Sequence, residues 1–174
     1  MHVYSVERDA TGVEKTTGEP LPFETFFEAE RPRLFATLVL IANDRSVAED
    51  LMQEAFARVW ERWDRVQAHP DATGYLYRTA LNLVRHRRRR ILRTPRVAPE
   101  VASDDFANVE RREDLYAALR RLTPRQRAAV VLTELVDMDA KATGKVLGVR
   151  AETVRSLASQ GRASIRAWGA TTDE

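Results

Sequence analysis

The stretch Ser46-Val47-Ala48-Glu49-Asp50-Leu51-Met52-Gln53-Glu54-Ala55-Phe56-Ala57-Arg58-Val59-Trp60 decides the fold. Val47, Leu51, Ala55 and Val59 recur every four positions, the apolar stripe of a helix, with Met52, Phe56, Trp60 and Trp63 flanking it. Ser46 and Glu49 have the Ser-x-x-Glu spacing of a capping box and predict a helix start there. Asp50, Gln53, Glu54 and Ala57 share a second face at spacings of three and four. A solvated acidic face is the ordinary reading of such a row. With Phe56 and Trp60 beside it, the face also suits docking to a basic helical partner.

Outward from this helix the pattern stays helical. Phe23, Phe26, Phe27, Leu34, Leu38 and Ile41 predict a helix before it, beginning near Pro22. Residues 1–20 are polar and aperiodic and read as a flexible tail. After it, Asp71 or Thr73 can cap a third helix, with Leu76, Ala80, Leu83 and Val84 inward and the arginines outward. Residues 94–108, with Pro, Asp and little periodicity, read as a linker. Helices resume at Val109–Leu122. Thr123-Pro124-Arg125-Gln126 then supplies a cap, a proline at the first helical position and a Gln three residues on. Val130, Val131, Leu132 and Leu135 follow; a short helix, Ala140–Leu147, stops at Gly148; a last one spans about Glu152–Trp168, with Val154, Leu157, Gly161 and Ile165 inward. No segment alternates as a strand does. The expected fold is all-α: two small helical domains, 21–93 and 109–170, joined by a flexible linker at 94–108.

Apolar residues make up 44% of the 174, enough for a real core, which excludes wholesale disorder. The net charge of +2 names no partner, but its distribution does. From Ala72 to Pro99 there are eight Arg and no Asp or Glu; from Lys141 to Arg166 six basic residues face Glu152 alone. Two basic tracts in a nearly neutral chain imply two anion-facing surfaces. The absence of Cys excludes disulfides and thiolate chemistry. The polar N-terminus lacks a signal-peptide segment, and the longest apolar run, Leu34–Ala42, is too short for a bilayer. A cytoplasmic protein without membrane insertion is expected.

Ala140–Leu147, Gly148 and the helix beyond read as a helix-turn-helix: Gly144 allows a close crossing, Gly148 takes the turn, and Leu147, Val149 and Val154 fill the wedge. The second helix would enter a major groove, presenting Arg150, Glu152, Thr153, Arg155, Ser156, Ser159, Gln160 and Arg162 to phosphates and base edges. A helical hairpin with a solvated basic face is the plainer alternative. The third helix combines Tyr75, Tyr77, Arg78, Asn82, Arg85, Arg87 and Arg88, aromatic rings for unpaired bases and guanidinium groups for phosphates. Its plainer alternative is a basic surface with core tyrosines. His2, His69 and His86 are the only histidines, and no Gly-rich phosphate loop or nucleophile–base spacing accompanies them. No catalytic residue, metal ligand or cofactor is expected.

The order of these motifs resembles a bacterial sigma factor of the extracytoplasmic-function group, in the sigma-70 family. Ala48-Glu49-Asp50-Leu51-Met52-Gln53-Glu54-Ala55-Phe56 closely resembles the family's region 2.2. Val59, Trp60 and Gly74-Tyr75-Leu76-Tyr77-Arg78-Thr79-Ala80-Leu81-Asn82 resemble its next segments; Leu122 through Arg127 and Leu147 through Val154 resemble region 4. The resemblance covers about residues 23–168 and implies a factor that binds RNA polymerase core and directs promoter-specific initiation. It implies that Asp50, Gln53, Glu54, Phe56 and Trp60 dock the polymerase, through the beta-prime coiled coil, with beta also in contact. Tyr75, Tyr77, Arg78, Asn82, Arg85, Arg87 and Arg88 would open and read the minus-ten element, and the last helix would read minus-thirty-five duplex. Promoter DNA is then a partner, and an anti-sigma protein a further candidate. Thr143 departs from the usual aliphatic residue and is expected to weaken the wedge. Arg150 replaces a capping Ser, at a cost of ~1 kcal/mol. A stand-alone helix-turn-helix regulator is the alternative, though it leaves the Asp50–Phe56 face unexplained.

Overall fold

A computed structural model of the chain describes residues 22–93 and 109–172, so the expected tail at 1–20 and linker at 94–108 lie outside the described residues. Pro22, at φ −58°, leads into α1 (Phe23–Ala42). That helix ends where Asn43 turns left-handed at φ 57° and its N–H donates to the Val39 carbonyl at 2.8 Å. Asp44 is extended, and its Oδ1 accepts the Val47 N–H at 2.9 Å, opening α2 (Arg45–Trp60). The expected capping box is thus corrected. Ser46 already lies within the first turn, and Glu49 pairs with Arg45 at 3.5 Å instead of reaching back.

A short helix that periodicity does not announce, α3 (Trp63–Gln67), follows. Trp63 packs edge-on to Phe23, with centroids 5.4 Å apart, and against Phe26 at 5.0 Å. Of the two candidate caps for α4 (Ala72–Arg93), Asp71 serves: its Oδ1 accepts the Gly74 N–H at 2.8 Å. Thr73 donates to Glu30 Oε1 of α1 at 2.7 Å instead.

In the second half α5 (Val109–Arg121) leads to α6 (Pro124–Val130), where both bonds of the Thr123–Gln126 box form. The chain then widens into a π-helical segment, Val131–Leu135. Asp139 Oδ1 accepts the Ala142 N–H at 2.7 Å and caps α7 (Ala140–Leu147), and Gly148 at φ 69° turns the chain into α8 (Ala151–Thr172). The helices cross so closely that a Cβ on Gly144 would lie 2.7 Å from the Val149 carbonyl oxygen. Thr143 does not weaken this wedge as expected. It is fully buried, and its hydroxyl donates to the Met138 carbonyl at 3.2 Å, so no polar group is stranded. On α8, Ala158 joins Val154 and Gly161 in the interior while Leu157 is only half-buried, a one-residue correction to the expected stripe.

Leu34 and Leu38 of α1, Leu51, Phe56 and Val59 of α2, and Leu76 and Leu81 of α4 form one core. That core continues into the second half through Leu132, Val136 and Val146. A smaller one holds Leu119, Leu122, Val130 and Val131, with Leu40, Ile41 and Ile165 at its edge. Apolar surface is therefore buried between the halves as well as within them, at about 25 cal/mol per Å².

Replacing Asp44 with Ala is expected to lower unfolding stability by about 1 kcal/mol, while Ser46→Ala should fall within about 0.5 kcal/mol. Urea midpoints of the two variants measure the difference.

Candidate nucleic-acid interface

The face of α2 is formed by exposed Asp50, Gln53 and Glu54, with Trp60 at 63% exposure one end along. Phe56 is not on that face. It is buried among aromatic rings, 4.7 Å from Phe27 and 6.3 Å from Phe23, because position 56 adjoins Ala55 on the inward arc. Its assignment to a docking surface is corrected to a core role beneath the exposed row. Asp50 Oδ2 meets Arg87 Nη1 of α4 at 3.5 Å, and Glu54 Oε1 accepts from Arg58 at 2.6 Å. Such exposed pairs contribute at most about 1 kcal/mol and are readily exchanged for another partner.

On α4, Leu76, Tyr77, Ala80, Leu81 and Leu83 face inward. Tyr77 is wholly buried and cannot stack on a base, which corrects its expected role. Its hydroxyl has no hydrogen-bond partner; the nearby Thr37 hydroxyl donates instead to the Arg33 carbonyl at 2.8 Å. Burial pushes the phenol up to about 12; the neighbouring Glu30 carboxylate also raises it, against Thr37 and Arg33. Tyr75 remains half-buried, and its hydroxyl accepts from Arg62 Nη1 at 3.4 Å. The His69 ring lies 6.2 Å from it, with His69 Nδ1 accepting the Asp71 N–H at 3.0 Å. Arg62 and His69 escape sequence reasoning because they sit in the connections around α3, where no periodicity marks them.

The exposed face of α4 carries Arg78, Asn82, Arg85 and Arg88, with Arg87 half-buried beside Asp50. Arg85 Nη2 donates to Asn82 Oδ1 at 2.6 Å and its Nη1 to the Leu147 carbonyl at 3.0 Å, across to the turn of the helix-turn-helix. Its pKa is lowered, by burial first and then by Arg89, Arg125 and Arg78. Arg78 also lines an open cleft with Lys141, Lys145 and Arg150. The lysines were legible only as members of the second basic tract.

Arg150, Glu152, Thr153, Arg155, Ser156, Ser159, Gln160 and Arg162 are all exposed on α8 or just before it. Several are already engaged: Arg155 with Glu152 at 3.5 Å, Arg162 with Glu134 at 2.6 Å, and Gln160 accepting from Gln126 at 3.3 Å. Among the described residues no group of three or more His, Asp or Glu could hold a metal, and no helix is long and apolar enough to cross a membrane. These faces offer guanidinium, amide and hydroxyl groups to solvent, with the half-buried Tyr75 ring on α4 and the exposed Trp60 ring at the end of α2.

Residues 26–94 match the family profile Sigma-70 region 2, and residues 112–165 match Sigma-70, region 4. The chain is 31% identical over 153 residues to RNA polymerase sigma-E factor of Streptomyces coelicolor, covering 86% of each chain. It is 33% identical over 181 residues to ECF RNA polymerase sigma factor SigE of Mycolicibacterium smegmatis, covering 93% of this chain and 68% of that one. Among solved structures it resembles the sigma factor RpoE in complex with the anti-sigma factor NepR from Bartonella quintana, with TM-score 0.68, 20% identity, and 83% and 94% of the two chains covered. CnrH, solved with the cytosolic domain of CnrY, gives TM-score 0.66 at 21% identity over 86% and 88%.

Tyr77→Phe is expected to leave stability at neutral pH unchanged or slightly raised, since the hydroxyl it removes is buried without a partner. A phenol whose folded pKa is raised stabilises fully below pH 10 and loses that contribution as pH rises toward about 12. The parent chain should therefore lose stability in that window more steeply than the Phe variant, as read by pH-dependent urea melts.

Proposed function

The chain belongs to the sigma-70 family of RNA polymerase sigma factors, with relatives in its extracytoplasmic-function group, and from that premise we propose which of its surfaces does what. It binds polymerase core and directs promoter-specific initiation. The 21–93 and 109–170 portions act as its two functional domains. Asp50, Gln53 and Glu54, with Trp60 at the end of the row, dock the beta-prime coiled coil; beta completes the contact. The Arg87–Asp50 pair couples core binding to DNA binding, since a polymerase that takes the Asp50 carboxylate releases the Arg87 guanidinium for a phosphate.

Tyr75 offers the stacking surface for an unpaired minus-ten base, while Arg78, Asn82, Arg85, Arg87 and Arg88 hold the phosphates beside it. Strand opening is driven by binding energy: captured bases and gripped phosphates offset lost stacking of a few kcal/mol per step. The factor performs no covalent chemistry. The exposed row from Arg150 to Arg162 reads minus-thirty-five duplex, with Arg150, Thr153 and Ser159 as its most available contacts. The protein works in the cytoplasm, where its polymerase is, and an anti-sigma protein is a fitting regulator because a solved structure it resembles is such a complex.

The observation that carries this reading is the pairing, in one chain, of the exposed acid-and-amide row on α2 with the arginine row and Tyr75 on α4. A stand-alone regulator would need only the helix-turn-helix.

Charge reversal of Asp50 and Glu54 to Lys is expected to abolish stoichiometric co-elution with polymerase core at unchanged helicity; retained co-elution would remove the docking assignment. Tyr75→Ala should slow promoter opening at least tenfold more on closed duplex than on a pre-melted bubble, about 1.4 kcal/mol in the barrier. Equal slowing on both templates would argue against a melting role.

A further inference from the structure

A cleft of about 550 Å³ opens where α4 faces α7 and the start of α8. Among the described residues, every ionisable side chain lining it is a cation: Arg78 from α4, Lys141 and Lys145 one turn apart on α7, and Arg150 just before α8. The nearby acids are spent elsewhere. Asp139 lies close enough to both lysines to feel them, but its Oδ1 accepts the Ala142 N–H at 2.7 Å as the cap of α7. Glu152 pairs with Arg155 at 3.5 Å. Arg85 adds a further positive charge at the turn, its Nη1 lying 3.9 Å from where a Cβ on Gly148 would stand.

Like charges gathered around one concavity repel each other, and an anion seated among them relieves that repulsion. The backbone adds to the attraction. Arg150 has no side-chain oxygen with which to cap α8, so the first N–H groups of that helix, beginning at Ala151 on the cleft wall, bring the positive end of its dipole to the same place. Gly148 leaves the turn beside them without a side chain.

We propose that this cleft binds a short polyphosphate chain, free or carried on a nucleotide, through Arg78, Lys141, Lys145 and Arg150. A single phosphate, at about −2, answers only half of their charge, and linked phosphates answer more. The two guanidinium groups grip phosphoryl oxygens through paired N–H donors, and the lysines act as point charges between them. The volume falls within the roughly 300–1,000 Å³ of small-molecule sites. Among the described residues no aromatic ring lines the cleft, so the phosphates are read and a base is not. Arg78 and Arg150 also stand among the proposed promoter contacts, so polyphosphate and promoter DNA exclude each other there. That consequence rests on the sigma reading; the binding itself does not.

Calorimetric titration of inorganic tripolyphosphate into the full chain, in about 0.15 M salt without divalent cations, is expected to show one saturable site. Adenosine and guanosine triphosphates should bind equally well. Lys141→Ala with Lys145→Ala, both exposed, should weaken binding on the order of tenfold or more. Arg65→Ala, removing an exposed cation of α3 outside the cleft, should leave it unchanged. Should the double variant lose helicity, Lys145→Gln keeps the stem and should still weaken binding. Absence of a saturable site, equal weakening by Arg65→Ala, or a strong preference for one base would overturn the proposal. A labelled promoter duplex distinguishes the two sources of phosphate. Its displacement by tripolyphosphate from the parent chain, but not from the lysine variant at equal ionic strength, supports the exclusion. Duplex held through the lysines by a chain that binds no tripolyphosphate would make the cleft a DNA-backbone contact and overturn the site. Co-elution of the unaltered chain with core tests the sigma reading separately.

Discussion

Burial of the second half of α1 is the constraint on which the rest of the structure depends. Leu34-Phe35-Ala36-Thr37-Leu38-Val39-Leu40-Ile41-Ala42 is apolar on every side, with one hydroxyl that is satisfied internally by the Arg33 carbonyl. A helix of that kind buries more than one face, and here only Ala36 of the stretch is left exposed. It finds α2 and α4 on one side, and α6 and the π-helical segment on the other. Leu34 and Leu38 feed the larger core, Leu40 and Ile41 the smaller. The halves meet because α1 has more apolar surface than its own half can cover.

Around this apolar axis the charged groups are arranged as replaceable partners. The pairs Arg87–Asp50, Arg58–Glu54 and Arg162–Glu134 are exposed or nearly so, and none is worth enough to hold a structure on its own. That weakness lets these surface groups exchange partners. An acidic side chain can leave its own arginine for another cation, and an arginine can leave its carboxylate for another anion, each at little net cost. Rigidity is kept for the groups beneath: Phe56 under the acidic row and Tyr77 under the arginine row are both locked in the core.

Much of this was legible in the sequence, for physical reasons. Helices with strong 3.6-residue stripes announced themselves, as did the Thr123–Gln126 box, Gly148 and the close crossing at Gly144, because each depends on local chemistry. Asp44 was missed as a cap because Ser46 and Glu49 offered a competing pattern, and only the turn at Asn43 decides between them. Residue type suggests outward, functional positions for Tyr77 and Phe56, whereas helical phase beside Leu76 and Ala55 argues for the burial they show. Arg62 and His69 lay in short connections with no period to betray them. The contact between halves could not be read at all, since an arginine that seeks a distant carbonyl looks no different from one that faces water.

The π-helical segment has a consequence for registration. The Val136 N–H bonds the Val131 carbonyl five residues back, at 3.1 Å, so one extra residue is accommodated where an α-helix would hold none. Each residue turns a helix by about 100°, so that insertion re-phases everything after it. Before the segment, Val130 faces the smaller core; after it, Val136 faces the larger and turns its carbonyl to Arg33. Within it Val131 already joins the smaller core and Leu132 the larger, so one short stretch serves both. The number of residues there, more than their identity, fixes which side of the molecule the helix-turn-helix shows to α1.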